Sequence, residues 1–587
     1  MIPLLLAVLC CPDPATRPAQ PLATAVAIPV ADDKPLKALD GWMKLYRTTK
    51  IEFLSKQNIV KDSFAVKFGL VPKGGVGEIR WEKDLEIILD AVAKLDTAEA
   101  AVALLGVAAI GFDAGPYVVG MSPGSVRAAG EGAIRKLSSS AAKDEIAKAA
   151  RGEVKVEKAM AVAVQAAATR CIGLLGDRTA RPALEGLLAD KNELVRANAA
   201  EALAALGDEA AATALVNSLE RDTSDSVLMS VAQALRTLFA KYVTGAAPAT
   251  DAPKDAAAPK TTDLPESIRL AVRAGIKALG RTTWRADMAI VRLLDEFRSL
   301  ETVPALIGML ERFHAHPEEV KSGKLSGLLQ FQIHELLVSM TGAVIPADQP
   351  DKWRELWERE KDSIQVTQKH EPKGGPATTV ASSFCGIPVQ GTRVVFLLDL
   401  SGSMDWRCQK DQTKDGLTGL AYAQQELRRA AGALAPNAQF TLVTFNGDQK
   451  AEVWSKEMVA ASEKNRDRFL KHVDGLKARG GTNLWGGLQE SLKIKSLSAG
   501  SRYESNVDEL FVLSDGGPSV GDVIDPIEIL RLVKESNKFA NVRINTIFLN
   551  TVQPPNQTFA PMDHMTITAS ELMKRMAEQN GGTFKEL

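Results

Sequence analysis

The chain has 587 residues, which leaves room for two or three domains. Its 71 Lys and Arg nearly balance 72 Asp and Glu, so no global field favours a polyanion, and the stretch 81–240 is acidic by about five charges, which argues against nucleic acid as a partner. Beyond the first residues no run is long and apolar enough to span a bilayer, since Ala100–Ile110 ends just before Asp113.

Met1–Cys11 is a short apolar run followed by Pro- and Ala-rich sequence. It resembles a secretory signal, although it lacks a basic start and its apolar core is short. Residues 1–25 are therefore read as an export segment, with Ala23-Thr24-Ala25 as a cleavage candidate and the periplasm, cell envelope or exterior as destination. A cytoplasmic chain is the alternative if the run is not a working signal. Cys10 and Cys11 match a lipoprotein site weakly, because large apolar residues precede Cys10. Removal of the leader leaves Cys171, Cys385 and Cys408, too few for a disulfide scaffold. Cys385 and Cys408 are expected as two separate thiols, with pairing as the alternative.

Residues 36–365 form a helical region, and from about Asp84 to Thr341 it is Ala- and Leu-rich and repetitive. Val126, Val164, Val195, Val227 and Ile268 each begin an apolar helical pattern, and three of these patterns end at Gly176, Gly207 and Gly280. Leu175-Gly176-Asp177 recurs as Leu206-Gly207-Asp208, and Pro182-Ala183-Leu184 is echoed by Pro304-Ala305-Leu306. A period of about thirty to forty residues with two helices per repeat signals an α-solenoid, in which stacking supplies the core that one helix pair lacks. The pattern resembles HEAT repeats, in particular their short bilin-lyase-like variety; a non-repetitive helical bundle is the bland alternative. In the helix that starts at Val195, Val195 and Leu203 are expected inside. Arg196 and Glu201 are expected at solvent or helix-end polar groups, with Glu201 dispensable.

Residues 241–265, rich in Ala, Pro, Asp, Lys and Thr, bury little and read as a flexible insertion. Leu336–Gly342 followed by Trp353-Arg354-Glu355-Leu356-Trp357 resembles a segment of bacterial proteins that join HEAT-like repeats to a further domain, and reads as a cap on the stack. Residues 366–390 form a linker and an extended lead-in.

The last third changes character. Val394–Leu398 is a buried-strand pattern ending at Asp399, followed by Ser401-Gly402-Ser403. Gly480-Gly481-Thr482-Asn483 opens a helical stretch, and Leu510–Ser514 is a second buried strand ending at Asp515-Gly516. Further strands are expected at Gln439–Phe445, Arg543–Leu549 and Gly581–Phe584, with helices at Ala421–Leu434, Pro526–Lys534 and Ala569–Gln579. This alternation calls for a doubly wound parallel sheet, with both aspartates at its C-terminal edge, where such sheets bind ligands. The hydroxyls of Ser401, Ser403 and Thr482 suit a hard cation such as Mg²⁺. Asp399 and Asp515 would hold it directly or through water, leaving an under-neutralised ion with an open position.

Residues 391–587 thus resemble the von Willebrand factor A family and its metal-ion-dependent adhesion site. The resemblance implies a Rossmann-like α/β domain after the α-solenoid and a divalent metal, Mg²⁺ or Mn²⁺/Ca²⁺. The metal residues are Asp399, Ser401, Ser403, Thr482 and Asp515, and the partner is a protein offering an Asp or Glu carboxylate. A metal serving the fold alone is the conservative reading of the same residues. The stretch Asp405–Gly419 is longer and more polar than the usual helix entry and is expected to shade the metal mouth.

Signals for catalysis are poor. His314-Ala315-His316 with Glu318 and Glu319 reads as a solvated loop rather than a metal site, His334 as a satisfied helix residue, and Gly74–Gly77 as a turn without a phosphate-loop lysine. The sequence therefore reads as a non-enzymatic exported binding or scaffold protein with two interaction surfaces. The alternatives are an assembly subunit of a chelatase- or ATPase-type complex and an RNA-binding ring like the Ro proteins. A bilin lyase would rest on fold analogy alone.

Overall fold

The computed structural model describes residues 33–48, 63–71, 81–112, 123–242, 264–366, 369–370, 382–408, 416–447, 450–493, 506–554 and 565–587. The export segment, Cys10, Cys11, Gly74–Gly77, most of the 241–265 insertion and part of the 366–390 lead-in lie outside the described residues. The chain divides into two compact units, Met1–Ala168 and Thr169–Leu587.

The first unit is helical. Thr97 and Ser139 cap the helices Ala98–Ala108 and Ser140–Ala150 by accepting from backbone N–H groups of the first turn. Asp96 ties these turns together by accepting from the backbone N–H groups of Ser138 and Ser139. The hydrogen bonds from Ser138 and Ser139 hold its carboxyl down at about 2.

The second unit begins with stacked helix pairs. Glu193–Leu206, Asp225–Leu238, Trp284–Glu296 and Gly327–Thr341 form one layer, and Ala212–Arg221, Glu266–Ala278, Thr302–Ala315 and Pro350–Glu360 the other. The repeated Leu-Gly-Asp has a local cause. Gly176 and Gly207 take φ of 70° and 63°, which L side chains resist, and the next residues, Asp177 and Asp208, each accept an N–H two residues on to start a short 3₁₀ turn. A Cβ at Gly173 would lie 2.6 Å from Ala202 Cα, so glycine there lets neighbouring repeats close up. Trp353 is wholly buried in the cluster that closes the stack, as the capping reading requires.

Val195 and Leu203 are wholly buried, in agreement with the expected helical phase. Glu201 corrects the expectation. Its carboxylate accepts from Arg170 Nη1 at 2.9 Å and Ser230 Oγ at 3.2 Å, and it also pairs with Lys538 of the sheet domain. Burial alone would raise this carboxyl, but the Lys538 and Arg170 charges outweigh burial and hold it below the usual range. The helical period placed Glu201 on the polar face; only the tertiary fold brings Lys538 to it.

The C-terminal part of this unit is a sheet with helices on both faces. Its strands are β1 (Ser383–Phe384), β2 (Ile387–Pro388), β3 (Arg393–Asp399), β4 (Arg407–Cys408), β5 (Gln439–Phe445) and β6 (Glu452–Val453). They continue with β7 (Val459–Ala460), β8 (Glu509–Ser514), β9 (Arg543–Phe548), β10 (Thr551–Val552) and β11 (Phe584–Glu586). The main sheet runs β11-β9-β8-β3-β5-β6, with β7 also on β5, and β3, β5, β8, β9 and β11 are parallel. The expected strands and helices are present; the last strand starts at Phe584 rather than Gly581. β1 and β2 form a tight hairpin at Cys385-Gly386, both at positive φ. Cys385 and Cys408 are buried free thiols, and burial pushes the Cys385 thiol up to about 12.

The later repeats dock on the N-terminal edge of this sheet. Asp508, just before β8, accepts from Ser326 Oγ at 2.8 Å and from Arg393 N at 2.9 Å. The Arg393 guanidinium donates to the carbonyls of Val320 and Leu325. Arg285 Nε reaches Ala540 O at 2.7 Å, and Asn541 Nδ2 returns a bond to Arg285 O at 2.9 Å. A Cβ at Gly327 would meet Thr392 Cγ2 at 2.4 Å, so the approach requires glycine there.

Two tests follow from this packing. Leu203→Ala is expected to cost about 2–5 kcal/mol. Glu201→Ala is expected to couple to Lys538→Ala by roughly 0.5–1 kcal/mol, a modest value because Lys538 keeps part of its side chain in water. Denaturant unfolding of the four chains of that double-mutant cycle checks the coupling, and strict additivity would dissolve the Glu201–Lys538 contact. Asp287 supplies a pH test: burial raises its carboxyl to about 6 despite the Gly280 N–H and the Arg312 charge. The folded state thus keeps this proton to higher pH than the unfolded chain, so its contribution falls as pH rises from about 4 to about 7. Relative to Asp287→Asn, the wild type should lose on the order of 2 kcal/mol across that window. Parallel stability profiles for the two proteins would refute the burial argument.

Candidate metal centre

Three loops meet at the C-terminal edge of the sheet. The first leaves β3 and turns through a 3₁₀ turn, Gly402–Asp405, closed by Met404 N donating to Ser401 O at 3.0 Å. It is strapped to the second loop by Gly402 N to Gly480 O at 2.9 Å and Arg479 N to Leu400 O at 2.7 Å. Gly480 sits at φ 73°, and its Cβ position lies 3.2 Å from Gly447 N, so two backbones pass where side chains would not fit. Thr482 is then held by Ser519, which accepts from Thr482 N at 2.9 Å and returns its own N–H to Thr482 O at 3.0 Å. Asn483 caps the helix Leu484–Ser491 by accepting from Gly486 N. The third loop leaves β8 at Ser514.

The five residues singled out by sequence come together here. Asp399 is wholly buried; its Oδ1 accepts from Ser401 N at 2.7 Å and its Oδ2 from Ser514 Oγ at 2.5 Å. Ser401 Oγ lies 3.1 Å from Ser403 Oγ, which donates to Asp515 Oδ1 at 2.8 Å. Among the described residues nothing bonds Thr482 Oγ1, and a Cβ at Gly516 would stand 3.6 Å from it and 3.9 Å from Ser403 Oγ. Gly516 therefore stands beside those hydroxyls, where a side chain would touch them. Burial first, and the charge of Asp515 second, push the Asp399 carboxyl up to about 7; burial raises Asp515 as well.

This donor set fits a small hard cation. Oxygens bound to Mg²⁺ at 2.0–2.1 Å lie about 3 Å apart along an octahedral edge, close to the 3.1 Å and 2.8 Å separations across Ser401, Ser403 and Asp515. Two buried carboxylates that burial penalises are relieved by a cation beside them. Among the described residues no group of three or more His, Cys, Asp and Glu is placed to hold a metal. The segment expected as a solvated loop is mostly helical: His314 lies in the last turn of the helix Thr302–Ala315, and Glu318 and Glu319 open the helix Pro317–Ser322. His316 between them pairs with exposed Glu318, while His334 is satisfied by Ile345 O at 2.7 Å, as expected of a helix histidine.

Two residues escaped the sequence reading. Ser514 orients Asp399, and Thr551 Oγ1 donates to Asp515 Oδ2 at 2.9 Å. Ser514 lies in a quoted strand, where its place before Asp515 was a usable signal. Thr551 had none: it reaches the site because β10 pairs with β4, setting Thr551 opposite Cys408. The polar stretch 405–419 thus anchors a second-layer hydroxyl, while its residues 409–415 lie outside the described set.

Comparison with known proteins agrees with this architecture. Residues 394–560 match the family described as von Willebrand factor type A domain, and residues 155–236 match HEAT repeats. Mouse inter alpha-trypsin inhibitor, heavy chain 4, is 28% identical over 152 residues, 26% of this chain and 15% of that protein. Human inter-alpha-trypsin inhibitor heavy chain H3 is 28% identical over 142 residues, 23% of this chain and 14% of its own length. The chain thus spans a small fraction of these relatives. Among solved structures, a von Willebrand factor type A protein from Catenulispora acidiphila aligns at 19% identity with a TM-score of 0.24, covering 33% of this chain and 38% of that one. The chain carries a von Willebrand factor A domain and HEAT repeats. Among the described residues no helix is long and apolar enough to cross a membrane.

Proposed function

We propose that this is a non-enzymatic, exported binding or scaffold protein that grips a protein partner through a divalent metal at the sheet edge, with the HEAT repeats as a second interaction surface. The observation that carries the proposal is the meeting of three hydroxyls and two buried carboxylates beside Gly516. Ser401, Ser403 and Thr482 would hold Mg²⁺, or Mn²⁺ or Ca²⁺, with Asp399 and Asp515 direct or through water. When bound, the ion supplies a residual positive charge for a partner's Asp or Glu carboxylate. Ser514 and Thr551 fix the carboxylate orientations, and loss of a partner of this kind typically costs about 10–100-fold in metal affinity. The later repeats, in the same compact unit as the sheet, dock at its opposite edge. The apolar run at 1–11 supports export.

Titration calorimetry on the full chain tests the site, with partner capture from a native extract as the functional readout. One Mg²⁺ or Mn²⁺ is expected to bind wild type, and if its Kd is near 0.1 mM, 1 mM metal stabilises the fold by roughly 1.4 kcal/mol. Asp399→Ala and Ser401→Ala should abolish binding, and Thr551→Val should weaken it by about 10–100-fold. Capture should fail with a chelator and with Asp399→Ala, each protein first shown to be folded by circular dichroism. Equal capture by wild type and Asp399→Ala, with or without chelator, would reduce the site to a structural one.

A further inference from the structure

A cavity of about 420 Å³ lies where the inner helix layer of the repeats meets the turn 538–541 of the sheet domain. Its apolar wall is four Ala side chains with Met229 and Phe539. Its charged lining is three cations, Arg236, Arg292 and Lys538, against one carboxylate, Glu201. Lys538 and Glu201 satisfy each other, and Arg236 is engaged by Glu296 and Gln233. Arg292 is different. Its Nη1 donates to the neutral Asn541 Oδ1 at 3.1 Å, and among the described residues no carboxylate pairs with it. Burial, then the like charges of Arg236 and Arg543, weigh against its protonated form. Beside it, Arg236 Nε is a buried donor with no acceptor among the described residues.

A guanidinium withdrawn from water without an anion is costly, and its planar fork matches a carboxylate. Small-ligand sites are typically apolar cavities of this size with a few convergent polar groups. We propose that this cavity binds a carboxylate carried on a short apolar body, the head on Arg292 and the body against Met229 and Phe539. The apolar wall of Met229 and Phe539 gives an apolar body a place that inorganic phosphate has no group to fill. Since the cavity is walled by both the repeats and the sheet domain, an occupant fastens one to the other.

Calorimetry and thermal melting of the full chain with sodium hexanoate, neutral hexanamide and inorganic phosphate, at matched ionic strength, test the assignment. Hexanoate should bind saturably at a Kd on the order of millimolar, as suits so small a ligand, and hexanamide at least about tenfold more weakly. Arg292→Gln should remove hexanoate binding. Ala205→Leu, which adds bulk at an exposed rim position and disturbs no buried group, should weaken it in a chain that keeps its fold. Equal binding of hexanoate and hexanamide, unchanged hexanoate binding in both variants, or a preference for phosphate would overturn the proposal.

Discussion

Parallel strand direction is the constraint on which the rest of this structure depends. Because β3 and β8 run side by side in the same sense, their C-terminal ends open on one edge and their N-terminal ends on the other. A single topological fact therefore brings Asp399 and Asp515 together and, a strand length away, brings Arg393 and Asp508 to the repeats. An antiparallel pairing of the same two strands would put one aspartate at each edge and leave no site. The right-handed helical crossovers that parallel pairing needs cover both faces, which is why the strand interiors are apolar throughout.

The two edges bury acids in different ways. At the docking edge Glu509 accepts from Gln390 N, Gly391 N and Asn545 Nδ2, and Asp508 from Ser326, Thr392 and Arg393. These carboxylates find their partners within the protein and serve cohesion. At the opposite edge Asp399 and Asp515 lean on hydroxyls, which both donate and accept, and Thr482 Oγ1 has no hydrogen-bond partner among the described residues. The docking-edge acids are tied to the repeats and to strand-end backbone, whereas Asp399 and Asp515 are tied to a chain of neighbouring hydroxyls at the loop edge.

Much of this was legible in the chain. Apolar runs of strand length ending in aspartate identified β3 and β8, and the Gly-Gly-Thr turn placed the third hydroxyl, because each signal is local. Val195 and Leu203 followed from helical period. What periodicity does not carry is the meeting of distant segments. Glu201 looked dispensable because Lys538, more than three hundred residues on, is invisible from its helix. Thr551 was missed because its role depends on β10 finding β4, two strands of two residues each. The cavity beside Arg292 was equally hidden, since its charge imbalance arises only when three helices and one turn converge.

The most direct measurement of the central claim is a crystal structure grown with Mn²⁺ and phased on its anomalous signal. The account predicts one peak among Ser401, Ser403 and Thr482, close to Asp399 and Asp515, with at least one coordination position facing outward under Gly516. An absent peak, or an ion wholly enclosed by protein oxygens, would contradict it.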